Sequence, residues 1–128
     1  MNLLLDTHAF LWFIAGSDDL SAVARDLIEE PGNQPFLSAA SLWEMAIKLS
    51  LGKLHLALPF EELVPEQMML NGIQFLPIEI SHVVPVVTLP FHHRDPFDRL
   101  LIAQAMVEQI PIVSGDPAFD PYPVQKLW

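Results

Sequence analysis

"NLLLDTHAFLWFIAG", residues 2–16, decides the fold class. Its first half is an apolar run that stops at an acid, the pattern of a short strand buried on both faces, as in a parallel sheet. Its second half continues as an apolar helix ending near Gly16. A signal peptide is not expected, because no basic residue flanks the run and Asp6 and His8 interrupt it. The same grammar recurs downstream. "PFLSA" (35–39), "IQFLPI" (73–78) and "IPIVSGD" (110–116) read as further strands, and "VQKLW" (124–128) as an edge strand. Helices are expected over "DDLSAVARDLIEEPG" (18–32), "SLWEMAIKLSLGK" (41–53), "PFEELVPEQMMLNG" (59–72) and "DPFDRLLIAQAMVEQ" (95–109). Pro65 is expected to kink or split the third of these, since it lacks the N–H a helix interior needs. "SHVVPVVTLPF" (81–91) reads as a short helix or an irregular link. Strands alternating with helices predict an α/β fold, a mostly parallel sheet of four to five strands covered on both faces. At 128 residues the chain is expected to form a single domain over 1–128.

Composition narrows the function. There is no cysteine, which excludes disulfides and thiolate metal sites and suits a cytoplasmic protein. No stretch reaches the roughly 18 apolar residues a bilayer span requires, so no membrane role is expected. Six Lys and Arg against sixteen Asp and Glu leave a formal charge of −10. A protein that grips nucleic acid by neutralising phosphate usually carries a basic face. A nucleic-acid substrate would therefore need a divalent cation or a partner to offset repulsion, and a basic protein partner would fit the same charge.

Ligands of such sheets bind beyond the carboxyl ends of the strands, where the strand order reverses. Asp6 and Asp116 end the first and fourth strand candidates, and Glu44 and Asp98 lie in first turns of helices that begin near those ends. Each acid also has a local structural reading. Ser41-x-x-Glu44 fits a capping box, and Asp95-Pro96-x-Asp98 fits a capped helix start with Pro at N1. Asp116-Pro117 can open a turn of helix, and Asp6 can cap the helix after the first strand. If the fold gathers the four into one volume, they repel one another unless protons or cations enter. Hard carboxylate oxygens without cysteine suit Mg²⁺ or Mn²⁺, which can activate water and stabilise charge on a phosphodiester.

The stretches "LLLDTHAFLW" (3–12), "SAASLWEMAIKLSLGKL" (38–54), "HRDPFDRLLIAQA" (93–105) and "IVSGDPAFDPY" (112–122) together resemble the PIN domain. They are most similar to its VapC-type toxin ribonucleases of type II toxin–antitoxin pairs. The pieces occur in the family's order and cover nearly the whole chain. The resemblance aligns the family's acids with Asp6, Glu44, Asp98 and Asp116, the last being its most variable position. A hydroxyl at Ser114 is expected to help orient the site. The resemblance implies a three-layer α/β/α fold and endoribonuclease activity dependent on Mg²⁺ or Mn²⁺. Asp6 and Asp98 are expected to hold the ion. A homodimer and a cognate antitoxin whose tail reaches the acidic groove are implied as well.

Other residues carry two readings each. Thr7 and His8 follow Asp6 directly; His8 either packs on its helix or contacts carboxylate or substrate. Lys48 pairs with Glu44 at i,i+4 or draws on substrate phosphate. Arg94 and Arg99 flank Asp98 and either meet RNA and the acids or make ordinary surface pairs. His92-His93-x-Asp95 has no matching histidine elsewhere for a transition-metal site, which leaves hydrogen bonding or solvent contact. Trp12, Trp43 and the phenylalanines fit core or dimer packing better than base stacking.

Three rival functions are distinguishable. A Mg²⁺-binding receiver-like signalling domain needs adjacent acids after the first strand and a late lysine, where this chain has a lone Asp6 and Asp116. A phosphohydrolase using Asp6 as nucleophile needs a second aspartate at position 8, which is His8. A non-catalytic acidic-site module has no need of all four acids.

Overall fold

The computed structural model describes residues 1–128. Five strands form one parallel sheet: β1 (Asn2–Leu5), β2 (Gln34–Ser38), β3 (Gln74–Leu76), β4 (Ile112–Val113) and β5 (Lys126–Leu127). Six helices accompany it: α1 (Thr7–Ala15), α2 (Ala22–Glu29), α3 (Ala39–Ser50), α4 (Phe60–Leu70), α5 (Ile80–Val83) and α6 (Pro96–Glu108). The strand order is β3-β2-β1-β4-β5. The chain winds outward from β1 to β3, then crosses back to lay β4 on the other side of β1. The reversal point lies between β1 and β4, so Asp6 and Asp116 leave the sheet at its switch crevice. This order is not the 2-1-3-4-5 winding of receiver domains, and the receiver-like alternative is corrected on that ground.

Period-two alternation sorts the strands into two cores. Leu3, Leu5, Leu37 and Val113 pack with Ala9, Phe10, Ala24, Ile28, Met45 and Val64 from α1 to α4. Leu4 and Ile112 point the other way and pack with Leu101, Ile102 and Ala105 of α6 and with Phe119 and Tyr122. The register places Leu4 between Phe36 and Ile112 on one face and its neighbour Leu5 between Leu37 and Val113 on the other. The three-layer α/β/α expectation holds, with helices on both faces of a fully parallel sheet.

Local expectations fare unevenly. α6 starts as read, with Asp95 as N-cap and Pro96 at the first helical position. α1 stops at Gly16, which adopts the left-handed conformation at φ 63°. Two readings are corrected. Helix α3 is capped by Ser38, whose hydroxyl accepts from Ala40 N, so Ser41 is buried one turn inside and Glu44 is not at N3. Pro65 does not split α4, which runs unbroken around it. No helix is long and apolar enough to cross a membrane.

Candidate metal and catalytic centre

Capping and clustering coexist. Asp6 caps α1 with Oδ1 accepting from Ala9 N at 2.6 Å, and Asp95 caps α6 with Oδ1 accepting from Phe97 N and Asp98 N at 2.9 and 3.0 Å. Asp116 caps the short 3₁₀ turn Pro117–Phe119, its Oδ1 accepting from Ala118 N at 2.9 Å. Each cap occupies one carboxylate oxygen, and the second is not needed for it. The caps fix the carboxylates at the ends of β1 and β4 and the start of α6, which all open on the same crevice.

Glu44 enters from α3, buried and held at both oxygens. Thr7 Oγ1 donates to Oε1 at 2.7 Å, and Lys48 Nζ sits 2.8 Å from Oε2. Thr7 also lies 2.9 Å from Ser41 Oγ. A hydroxyl has one proton, and a carboxylate can only accept, so Thr7 gives its proton to Glu44 and Ser41 donates to Thr7. Lys48 thus makes the i,i+4 pair, with a third of its side chain still exposed. Ser114 is fully buried next to Asp6, its Oγ accepting from Asp116 N at 3.0 Å.

Asp98 has one direct protein partner at its carboxylate, His93, whose Nε2 lies 3.2 Å from Oδ2. His93 in turn lies against Tyr122, Nδ1 to hydroxyl 2.8 Å. Arg99 neither meets the acids nor makes a surface pair, which corrects both readings of it. It is buried, with Nη1 donating to Pro90 O at 2.7 Å and Nη2 to Leu89 O at 2.9 Å, and its guanidinium stacks 4.0 Å from the Phe91 ring centre. Consecutive helical residues point about 100° apart, so Asp98 and Arg99 leave α6 towards different surroundings.

Asp6, Thr7, His8, Glu44, Lys48, Asp95, Asp98 and Asp116 line one cavity of about 100 Å³ with no apolar wall. Five carboxylates thus face a single lysine. Burial raises the Asp6 carboxyl above its ordinary range, opposed by the Ser114 hydroxyl, Ala9 N–H and His8. Burial, then the charges of Asp95, Glu44, Asp116 and Asp6, push Asp98 up to about 7. A wider cleft of about 480 Å³ adjoins through Asp6, His8 and Asp116, walled by Trp12 and Trp128. Gly115 lets the Trp128 indole lie against the backbone there, since a Cβ would stand 2.6 Å from Trp128 Cε2 and force the ring to shift. Sequence reading misses Asp95 as a cavity wall, His93 as the partner of Asp98, and Tyr122 behind His93.

No three acid or histidine side chains close into a ready-made metal cage. Mg²⁺ keeps several waters and commonly takes only one or two carboxylates directly. The donor set fits that mode: hard oxygens, uncompensated negative charge, and space for several waters.

A family model of the PIN domain matches residues 3–124. The chain belongs to the PIN domain family. PIN domains are nucleases that generally use divalent metal ions. Among solved structures, this PIN domain is similar in fold to VapBC2 from Rickettsia felis bound to a DNA fragment from its promoter, at TM-score 0.72 and 14% identity over 100% of both chains. It is also similar to a toxin–antitoxin complex from Klebsiella pneumoniae, at TM-score 0.64 and 16% identity over 94% of this chain and 92% of that one. A third is FitAcB from Neisseria gonorrhoeae, at TM-score 0.59 and 16% identity over 97% and 95%. At such identities the likeness is one of fold. No curated protein matches the chain significantly.

Proposed function

We propose that this PIN domain, one unit over residues 1–128, is a Mg²⁺- or Mn²⁺-dependent endoribonuclease and the VapC-type toxin of a toxin–antitoxin pair, working in the cytoplasm as a homodimer. The observation that carries the reading is the carboxylate cavity at the switch point, where burial and mutual repulsion hold Asp98 near 7. A cation relieves that repulsion, and it also gives a chain of charge −10 a means of approaching phosphate. Toxin and antitoxin assignments rest on the ordered motifs and on the toxin–antitoxin complexes that share the fold. A basic antitoxin tail suits the acidic cavity. Exposed Met69, Leu70, Ile80, Val84, Val87 and Phe91 supply apolar surface for a second copy.

In this reading Asp6 and Asp98 hold the ion, and Glu44 and Asp116 complete the site. Bound Mg²⁺ or Mn²⁺ would supply water activation and neutralisation of developing phosphate charge. Thr7 and Lys48 orient Glu44, Ser114 steadies Asp6, and His8 stands at the entrance. A carboxylate of the cluster accepts the proton of the water that attacks phosphorus in line, while the opposite P–O bond breaks and its oxygen leaves with a proton from solvent. Asp6→Asn and Asp98→Asn are each expected to lower Mg²⁺-dependent cleavage of RNA by at least about 100-fold, with the fold unchanged by circular dichroism. Retained cleavage in either purified variant overturns the proposal.

A further inference from the structure

The Tyr122 hydroxyl sits among three nitrogens. Arg99 Nη1 donates to it at 3.3 Å and the His93 backbone N–H at 3.2 Å, which occupies both oxygen lone pairs. Arg99 cannot swing away, because the Leu89 and Pro90 carbonyls hold the same guanidinium. The hydroxyl has one proton of its own, and the third nitrogen, His93 Nδ1 at 2.8 Å, is its nearest neighbour. A ring nitrogen that accepts carries no proton. The neutral imidazole then bears its proton on Nε2, the atom 3.2 Å from Asp98 Oδ2.

We propose that Arg99, Tyr122 and His93 form a positioning device that locks His93 as the Nε2–H tautomer and aims that N–H at Asp98, holding the carboxylate in the cavity for its ion. Asp98 shares the cavity with four neighbouring acids, and the His93 Nε2–H is the one protein donor at its carboxylate. Arg99 and Tyr122 do not line the cavity; they act through His93. The ion-holding half rests on the reading of Asp98 as a metal ligand, whereas the tautomer half does not.

The test uses the full chain, metal-free, with ¹⁵N-labelled histidine and long-range proton–nitrogen correlation. His93 is expected to give the signature of a fixed Nε2–H ring, and Tyr122→Phe, which keeps the buried ring, is expected to give tautomer averaging. Measured at a pH where the ring is neutral, an averaged or Nδ1–H form in the wild type overturns the proposal, as does an unchanged tautomer in Tyr122→Phe. A second pair of variants keeps the test decisive should Tyr122→Phe fail to fold. In titrations with Mn²⁺ alone, His93→Leu is expected to bind about 10- to 100-fold more weakly, and His93→Gln, which keeps an N–H donor, to recover most of that loss. Equal Mn²⁺ affinity in the two variants overturns it. Fixed tautomer and Leu/Gln contrast in a wild-type protein that cleaves no RNA would support the device and overturn the nuclease reading instead.

Discussion

Helix α6 buries polar side chains at both ends, and the two groupings differ in kind. At its C-terminal half, Gln104 accepts from Ser38 Oγ and donates to Pro77 O at 3.2 Å, while His82 accepts from Glu79 N and lies 2.7 Å from Glu108. Every donor there has an acceptor, and no buried side-chain nitrogen or oxygen in the molecule lacks a partner. At the N-terminal turn, Asp98 has its hydrogen bond but sits among four more carboxylates. Satisfied polarity ties β2 and α5 to α6 and specifies the fold; uncompensated charge weakens the fold and equips it for a cation.

The comparison predicts opposite signs for removing the polar group at one end and the charge at the other. Gln104→Leu strands the Ser38 hydroxyl and the Pro77 carbonyl and is expected to cost about 1–3 kcal/mol, lowering Tm by roughly 5–10 °C. Mn²⁺ affinity should be unchanged, and a loss of affinity without a loss of stability would erase the distinction between the ends.

Asp98→Asn should stabilise the metal-free protein. A carboxyl raised from 3.8 to about 7 in the folded state binds protons that the unfolded chain has already released. Folded stability therefore falls as pH rises between those values and stays low above 7. With the side chain partly open to solvent, the gain on substitution is on the order of 1 kcal/mol at pH 8 and should vanish near pH 4. Thermal melts of both proteins across that range check it.

Glu108→Gln is the smallest change. Its amide oxygen still accepts from His82, and the side chain is 43% exposed, so stability should move by less than about 0.5 kcal/mol. A larger drop would mean that charge matters at this end too.

Legibility follows the range of the interactions. The strand β1, helix α1 and capped start of α6 are readable because their signals are local: an apolar run, a left-handed Gly16, an Asp-Pro pair. Asp6, Asp98 and Asp116 are readable as end residues of elements that a parallel sheet must bring to one edge, whereas Glu44 reaches the same cavity from the second turn of α3. The start of α3 is misread because Ser38 and Ser41 both offer a cap, and only pairing of Ser38 with Leu76 across β2 and β3 determines where the strand ends. Arg99 looks like a site cation because it neighbours Asp98 in sequence, yet the loop carbonyls that bind it come from residues 89 and 90. His93 and Tyr122 meet across 29 positions, a contact no spacing rule anticipates.

The most direct measurement is a carbon-13 titration of the Asp98 carboxyl in the metal-free protein, repeated in Asp6→Asn and with saturating Mg²⁺. A midpoint near 7 that falls in both altered conditions is the result expected of charges sharing one small volume. An ordinary carboxylate midpoint, unmoved by Asp6→Asn or by Mg²⁺, would contradict it.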